Sequence, residues 1–240
     1  MNIDLILLKL KNILFISLML VANLSLANEV VSPSKFGSIQ GDISIMGSKS
    51  NLIEEVQNIV IFIEGDNLNS SQAYRESPNN VASPKVTHKG RKFSPHVLPV
   101  VRDTKVDFFN DDSIYHNVFS ISKTKAFDLG IYPENTSQLI RFEKTGLVKI
   151  YCNIHPKMTS NILVLNNDFY TKPNDDGSFI IKNIPLGHYT LRVWHELAEA
   201  QQYNIEIKEG DNTLDKLLLT LTKRYIQHKT KFGKNYKSKY

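Results

Sequence analysis

Cysteine is almost absent: Cys152 is the only one in 240 residues. An intramolecular disulfide is therefore excluded, and the thiol must be buried, paired with another chain or protected by a metal. Helical 3.6-residue periodicity is scarce, which argues against a helical bundle. There is no glycine-rich phosphate loop, no Ser/His/Asp order, no general acid–base pair and no His-x-His copper pair. The chain is therefore expected not to be an enzyme. Long apolar runs are missing too; the longest, from Ile13 to Leu24, falls short of the roughly 18 residues that a spanning helix needs.

That run has another meaning. Lys9 and Lys11 precede it and Ser25-Leu26-Ala27 closes it, which is the pattern of a secretory signal peptide over residues 1–27. Cleavage after Ala27 is expected, rather than retention as an anchor. No cysteine stands directly after Ala27 to carry a lipid. The mature chain is thus expected in a periplasm or outside the cell, where an unpaired thiol is an oxidation liability.

The chain carries 29 Lys and Arg against 24 Asp and Glu, a net charge of +5. Two lysines and Asp4 sit in residues 1–27, and residues 223–240 hold seven Lys or Arg and no acid, so residues 28–222 are left at −3. The basicity belongs to a tail. Such a tail ordinarily makes a solvated end, although Tyr225, Phe232, Tyr236 and Tyr240 within it also suit an anionic membrane surface or an acidic partner. Nucleic acid is not expected as a partner.

Short β-branched and aromatic runs recur instead of helical patterns. They are 59–63 (IVIFI), 106–109, 118–122, 138–142, 148–151, 161–165 (NILVL), 178–184, 189–194, 203–207 and 217–221. Gly, Asn, Asp and Pro punctuate them, as between strands, and the expected class is all-β. Residues 67–92 are rich in Ser, Asn and Pro and read as a linker.

The lone thiol lies in VKIYCNIHPKM, where Cys152, His155 and Met158 form a C-x2-H-x2-M loop at the end of a strand. Thiolate, imidazole and thioether suit copper, and two histidines with a cysteine and a weak axial methionine make a blue-copper electron-transfer site. Zinc prefers closed Cys, His and carboxylate sets. The second histidine is available upstream in FFNDDSIYHNVFS, as His116 followed by Asn117.

These stretches resemble a cupredoxin, amicyanin most closely, with plastocyanin similar but longer in the loop. The V-x-F-x-N strand (Val106–Asn110) ahead of His116-Asn117 belongs to the same resemblance, which covers residues 93–166. It implies a Greek-key cupredoxin β-sandwich with His116, Cys152 and His155 as equatorial copper ligands and Met158 as the axial one. It further implies that Asn117 ties the histidine strand to the cysteine loop, and that the N–H of Asn153 or a neighbour points at the thiolate. Asp103-Thr104 stands where the family usually has a glycine turn.

A second resemblance lies downstream. DDGSFIIKNIPLGHYTLRVW is similar to the carboxypeptidase-regulatory, transthyretin-like β-sandwich. Phe179, Ile181, Tyr189, Leu191 and Val193 alternate with period two, and Gly177 and Gly187 suit turns with positive φ. Residues 36–66 resemble the first strands of that fold, so the cupredoxin-like segment is expected as an insertion between them and residues 167–222, with the basic tail at 223–240.

The function implied is a one-electron carrier between periplasmic redox proteins, such as a cytochrome or a dehydrogenase, using one type 1 copper and the edge of His155. The alternatives are a periplasmic copper-binding or delivery protein and a binding module in which copper is structural. The other histidines are assigned no ligand role: His96 is taken to pack in a strand near the site, His88 to lie in the linker, His188 after a turn, His195 in structural hydrogen bonds and His228 in the tail.

Overall fold

Residues Thr104–Asn110 show how the local pattern becomes a strand. Thr104, Val106, Phe108 and Asn110 are buried while Lys105 is exposed, the period-two alternation of a half-covered sheet. Burying a side chain such as Phe108 stabilises the fold by roughly 1.5–3 kcal/mol. The structure, a computed structural model, describes residues 36–47, 55–66, 68 and 83–236; the expected signal peptide lies outside them. The described residues form an all-β protein.

In chain order the strands are β1 (Phe36–Met46), β2 (Val60–Glu64), β3 (Lys85–Lys89), β4 (Lys92–Ser94), β5 (Val97–Val101), β6 (Thr104–Asn110), β7 (His116–Ile121), β8 (Ala126–Tyr132) and β9 (Ser137–Phe142). They continue with β10 (Gly146–Cys152), β11 (Thr159–Leu165), β12 (Tyr170–Thr171), β13 (Ser178–Pro185), β14 (Gly187–Trp194), β15 (Gln201–Ile207), β16 (Gly210–Thr213) and β17 (Leu217–Thr220). Four sheets result, of order β13-β1-β16 with β17 also on β1, β12-β2-β14-β15, β5-β11-β10-β7-β8 and β4-β3-β6-β9.

The first two sheets share one core that includes Ile39, Ile61, Ile63, Phe179, Ile181, Leu191 and Val193. β1 pairs with β13, and β2 pairs with β14, so segments more than a hundred residues apart meet in the same sheets. The other two sheets enclose a second core around Val106, Phe108, Val118, Phe142, Ile150 and Cys152. The chain crosses between these two sheets from β8 to β9, which lets β7 lie beside β10.

The runs IVIFI and NILVL lack alternation for a physical reason. Ile61 and Ile63 of β2 face the first core, while Val60 and Phe62 face a third cluster with Val97, Leu163 and Leu165. In β11 the roles mirror this: Ile162 and Val164 enter the second core, and Leu163 and Leu165 enter the third cluster. A strand covered on both faces needs apolar residues at every position.

Two sequence expectations are corrected here. The linker read at residues 67–92 includes β3 and the first residue of β4, with Val86 and His88 buried on one face of β3. β3 pairs with the parallel β6, so partners that are distant in sequence stabilise a segment whose composition looks loop-like. The basic tail, in turn, is held against the sheet at several points described below. At the expected glycine turn, Asp103 itself adopts φ 72°, and its N–H donates to the Phe142 carbonyl at 2.6 Å.

Candidate metal centre

Pairing geometry brings the strand ends together. Cys152, the last residue of β10, lies opposite Val118 of β7. His116 is two residues before Val118, hence on the same face of β7, and both His116 and Cys152 are fully buried. The loop after β10 closes on itself, because the Met158 N–H donates to the His155 carbonyl at 3.0 Å and the Cys152 N–H to the Met158 carbonyl at 3.2 Å. Met158 is buried in the same core as Cys152, whereas His155 is only partly covered.

Cys152 Sγ lies 3.9 Å from His116 Nδ1 and 3.7 Å from His155 Nδ1. One ligand atom from each of the three residues falls within 4.8 Å of the others, and this is the one such cluster of His, Cys, Asp or Glu among the described residues. Metal bonds of roughly 2.0–2.3 Å at trigonal angles place neighbouring donors roughly 3.5–3.8 Å apart. The sulfur–nitrogen separations therefore fit one ion in the plane of three donors.

His116 is oriented from its far side. Its Nε2 lies 2.8 Å from Asp112 Oδ2; donating there leaves the Nδ1 lone pair free toward Cys152, as metal-bound histidines require. Asp112 also accepts the N–H of Gly90 at 2.9 Å and of Arg91 at 3.0 Å. Burial alone would raise its carboxyl, but these donors and the His116 ring outweigh it and hold Asp112 below the usual carboxylate range. Asn110 fixes the intervening loop: its amide donates to the carbonyls of Ile114 and Tyr132, and its Oδ1 accepts the Asp112 N–H. Burial, then the nearby His116 and Arg91 charges, push the His155 ring below the ordinary histidine value.

Asp112 and the Gly90-Arg91 turn escaped the sequence reading. A carboxylate four residues before a candidate ligand was the available signal, but nothing local shows that β3 returns to meet it. His88 is a larger surprise. It is fully buried, with ring centroids 4.9 Å from Phe93 and 5.5 Å from His116, and Nε2 is 3.2 Å from the Tyr132 hydroxyl. Burial and the neighbouring His116 depress its pKa to about 3, so it packs as a neutral ring.

One implied supporting role is corrected. Asn117 does not reach the cysteine loop; its amide donates to Asp128 Oδ1 at 2.6 Å and to the Gly130 carbonyl at 2.8 Å, tying β7 to β8. Asn117 alternates to the other face from His116, and there its amide meets β8. The Asn153 side chain faces residue 231, with Oδ1 accepting the Lys231 N–H at 2.9 Å. His96, in the turn before β5, pairs through Nε2 with Glu196, while Asn161 Nδ2 donates to the other Glu196 oxygen at 2.8 Å. His195 is buried 3.1 Å from Glu55, His188 is exposed, and His228 stacks on Tyr151.

Against known proteins, a family described as ER membrane protein complex subunit 7, beta-sandwich domain, matches residues 153–237, less than half of the chain. No curated protein matches. A purple cupredoxin from Nitrosopumilus maritimus is 25% identical over 35% of this chain and all of its own, with a TM-score of 0.32. A Cu-containing nitrite reductase from Thermus scotoductus is 26% identical over 35% of this chain, which spans only 22% of that enzyme, with a TM-score of 0.34. A Cu(I) amicyanin variant is 18% identical over 44% of this chain and 98% of its own, with a TM-score of 0.33. The likeness is weak and at fold level only. With TM-scores this low it carries no argument, and the metal chemistry rests on the side chains themselves.

Proposed function

We propose that the protein is an exported, periplasmic blue-copper carrier of single electrons, with His116, Cys152, His155 and Met158 holding one copper ion. The observation that carries this is the convergence of a buried cysteine sulfur and two histidine Nδ1 atoms at 3.7 and 3.9 Å, with the far nitrogen of His116 already engaged by Asp112. Copper in such a set exchanges one electron between its two common oxidation states.

The chain's own contribution is to hold the donors still. His116 and Cys152 are anchored on paired strands, and the hydrogen-bonded loop fixes His155 and Met158. A scaffold that does not rearrange keeps the cost of gaining or losing an electron low. The surrounding core of Val118, Ile150, Tyr132 and Phe108 excludes water from the thiolate. His155, the partly exposed donor, offers its ring edge to a redox partner such as a cytochrome or a dehydrogenase.

The deciding experiment adds Cu(II) to the purified chain and records the visible spectrum before and after ascorbate. An intense thiolate-to-copper band that ascorbate bleaches and air restores is the expected result. A colourless Cu(I) complex that air does not oxidise would replace electron transfer with copper storage or delivery.

A further inference from the structure

Residues 223–236 have the composition of a solvated end, yet they grip the strand that carries Cys152. Tyr236 Oη donates to the Cys152 carbonyl at 2.8 Å, beyond the last β10–β11 pair, Tyr151 with Thr159. His228 stacks on Tyr151 with centroids 4.4 Å apart and planes 25° from parallel, and meets Tyr236 edge-on at 5.3 Å. The Lys231 N–H is received by Asn153 Oδ1, and Lys231 Nζ lies 2.5 Å from Asp128 Oδ2. Tyr151, Cys152 and Asn153 are thus each held by the segment. Asp128 in turn accepts from Asn117, the chain neighbour of His116.

We propose that residues 223–236 are a working wall of the metal centre, in which Tyr236, His228 and Lys231 are positioning residues for the backbone that carries the Cys152 thiolate. The physical reason lies at the strand end. Past the Tyr151–Thr159 pair, β11 no longer braces β10, and the loop toward His155 begins at once. A phenol donor on the Cys152 carbonyl, a ring stacked on Tyr151 and a backbone amide on Asn153 supply the bracing that β11 stops providing, while β7 still pairs with Cys152. Partners that support metal ligands in this way tune both affinity and electronic properties. For its copper-dependent arm the inference rests on the copper reading above.

The test uses full-length Tyr236→Phe and Tyr236→Ala. Phe keeps the ring against His228 and removes only the donor. In the metal-free chain, amide hydrogen exchange at Cys152 and Asn153 is expected to rise about fivefold in Tyr236→Phe, the loss of one ordinary hydrogen bond, and further in Tyr236→Ala. With Cu(II) added, affinity measured against a competing chelator is expected to fall roughly tenfold and the visible band to move, while the melting temperature of Tyr236→Phe stays close to the parent. Unchanged exchange at Cys152 and Asn153 in both variants overturns the proposal, as does an unmoved band and affinity in a parent chain that binds copper. If the parent binds no copper, the functional reading fails while the exchange measurement still decides the clasp.

Discussion

His116 has its two ring nitrogens turned to different partners: Nε2 lies 2.8 Å from the Asp112 carboxylate, and Nδ1 faces Cys152 Sγ at 3.9 Å. The carboxylate selects the tautomer that leaves a lone pair toward the thiol, and the amides of Gly90 and Arg91 hold that carboxylate in place. His116 is therefore oriented by groups outside the His116, Cys152 and His155 cluster.

Asp112→Ala is expected to lower copper affinity by about 10- to 100-fold, the usual cost of losing such a partner. Asp112→Asn keeps an acceptor oxygen and should lose less. Competition titration of both variants checks this; an Ala variant with parent affinity would show that the ring is oriented by something else.

Cys152→Ser should abolish the thiolate-to-copper band while the metal-free chain still folds. Placing a hydroxyl among Val118, Ile150 and Ile162 costs about 1–3 kcal/mol, measurable by denaturant unfolding. Survival of the band in the serine variant would remove the sulfur from the ligand set.

His96 and Glu196 should make stability depend on pH. Burial opposes a charge on His96, but the hydrogen bond and charge of Glu196, the Thr159 carbonyl and the charge of Glu55 outweigh it and raise its pKa. Burial likewise opposes the Glu196 carboxylate, while His96, Asn161 and His195 lower its pKa on balance. The raised histidine contributes fully below its ordinary value and loses that contribution as pH rises through the folded value. The lowered glutamate contributes above its ordinary value and is lost on strong acidification. Buried His195, whose pKa is lowered by burial despite Glu55 and Glu196, works against the pair as acid is added. The stability gap between the parent and His96→Gln should therefore be widest in mildly acidic solution, near pH 5–6 by the ordinary carboxylate and histidine values, and narrow toward pH 9. Thermal melts across that range test it, and a gap that widens with alkali would contradict the assignment.

Gly177→Ala should destabilise the fold by roughly 2 kcal/mol or more. Gly177 has φ 88°, a Cβ there would run into the Ile43 carbonyl oxygen, and the Gly177 carbonyl accepts the Ile43 N–H at 2.9 Å. Denaturant melts of the variant measure the loss; parent stability would mean that β1 shifts freely.

Much of the fold was legible because strands write themselves locally. The inward alternation of Phe179, Ile181, Tyr189, Leu191 and Val193 agrees with their burial, and the doubly apolar runs proved to be strands covered on both faces. β3 was hidden because Lys85–Lys89 draws its support from β6, not from its own composition. The short spacing of Cys152, His155 and Met158 made their candidacy visible. The role of Asn117 was misjudged because spacing along a chain does not say which neighbouring element a side chain faces.

The sequence alone determined the class of structure and the chemistry on offer: an all-β chain with one thiol, set among imidazoles and a thioether at a spacing short enough for one loop. Such properties reside within a few residues and survive without knowledge of the rest. Only the tertiary structure decided that Asp112 sets the His116 tautomer, that His88 is a neutral core ring, and that a basic tail clasps the strand of Cys152. Each of those depends on contacts between segments far apart in the chain, where burial and geometry override what composition suggests.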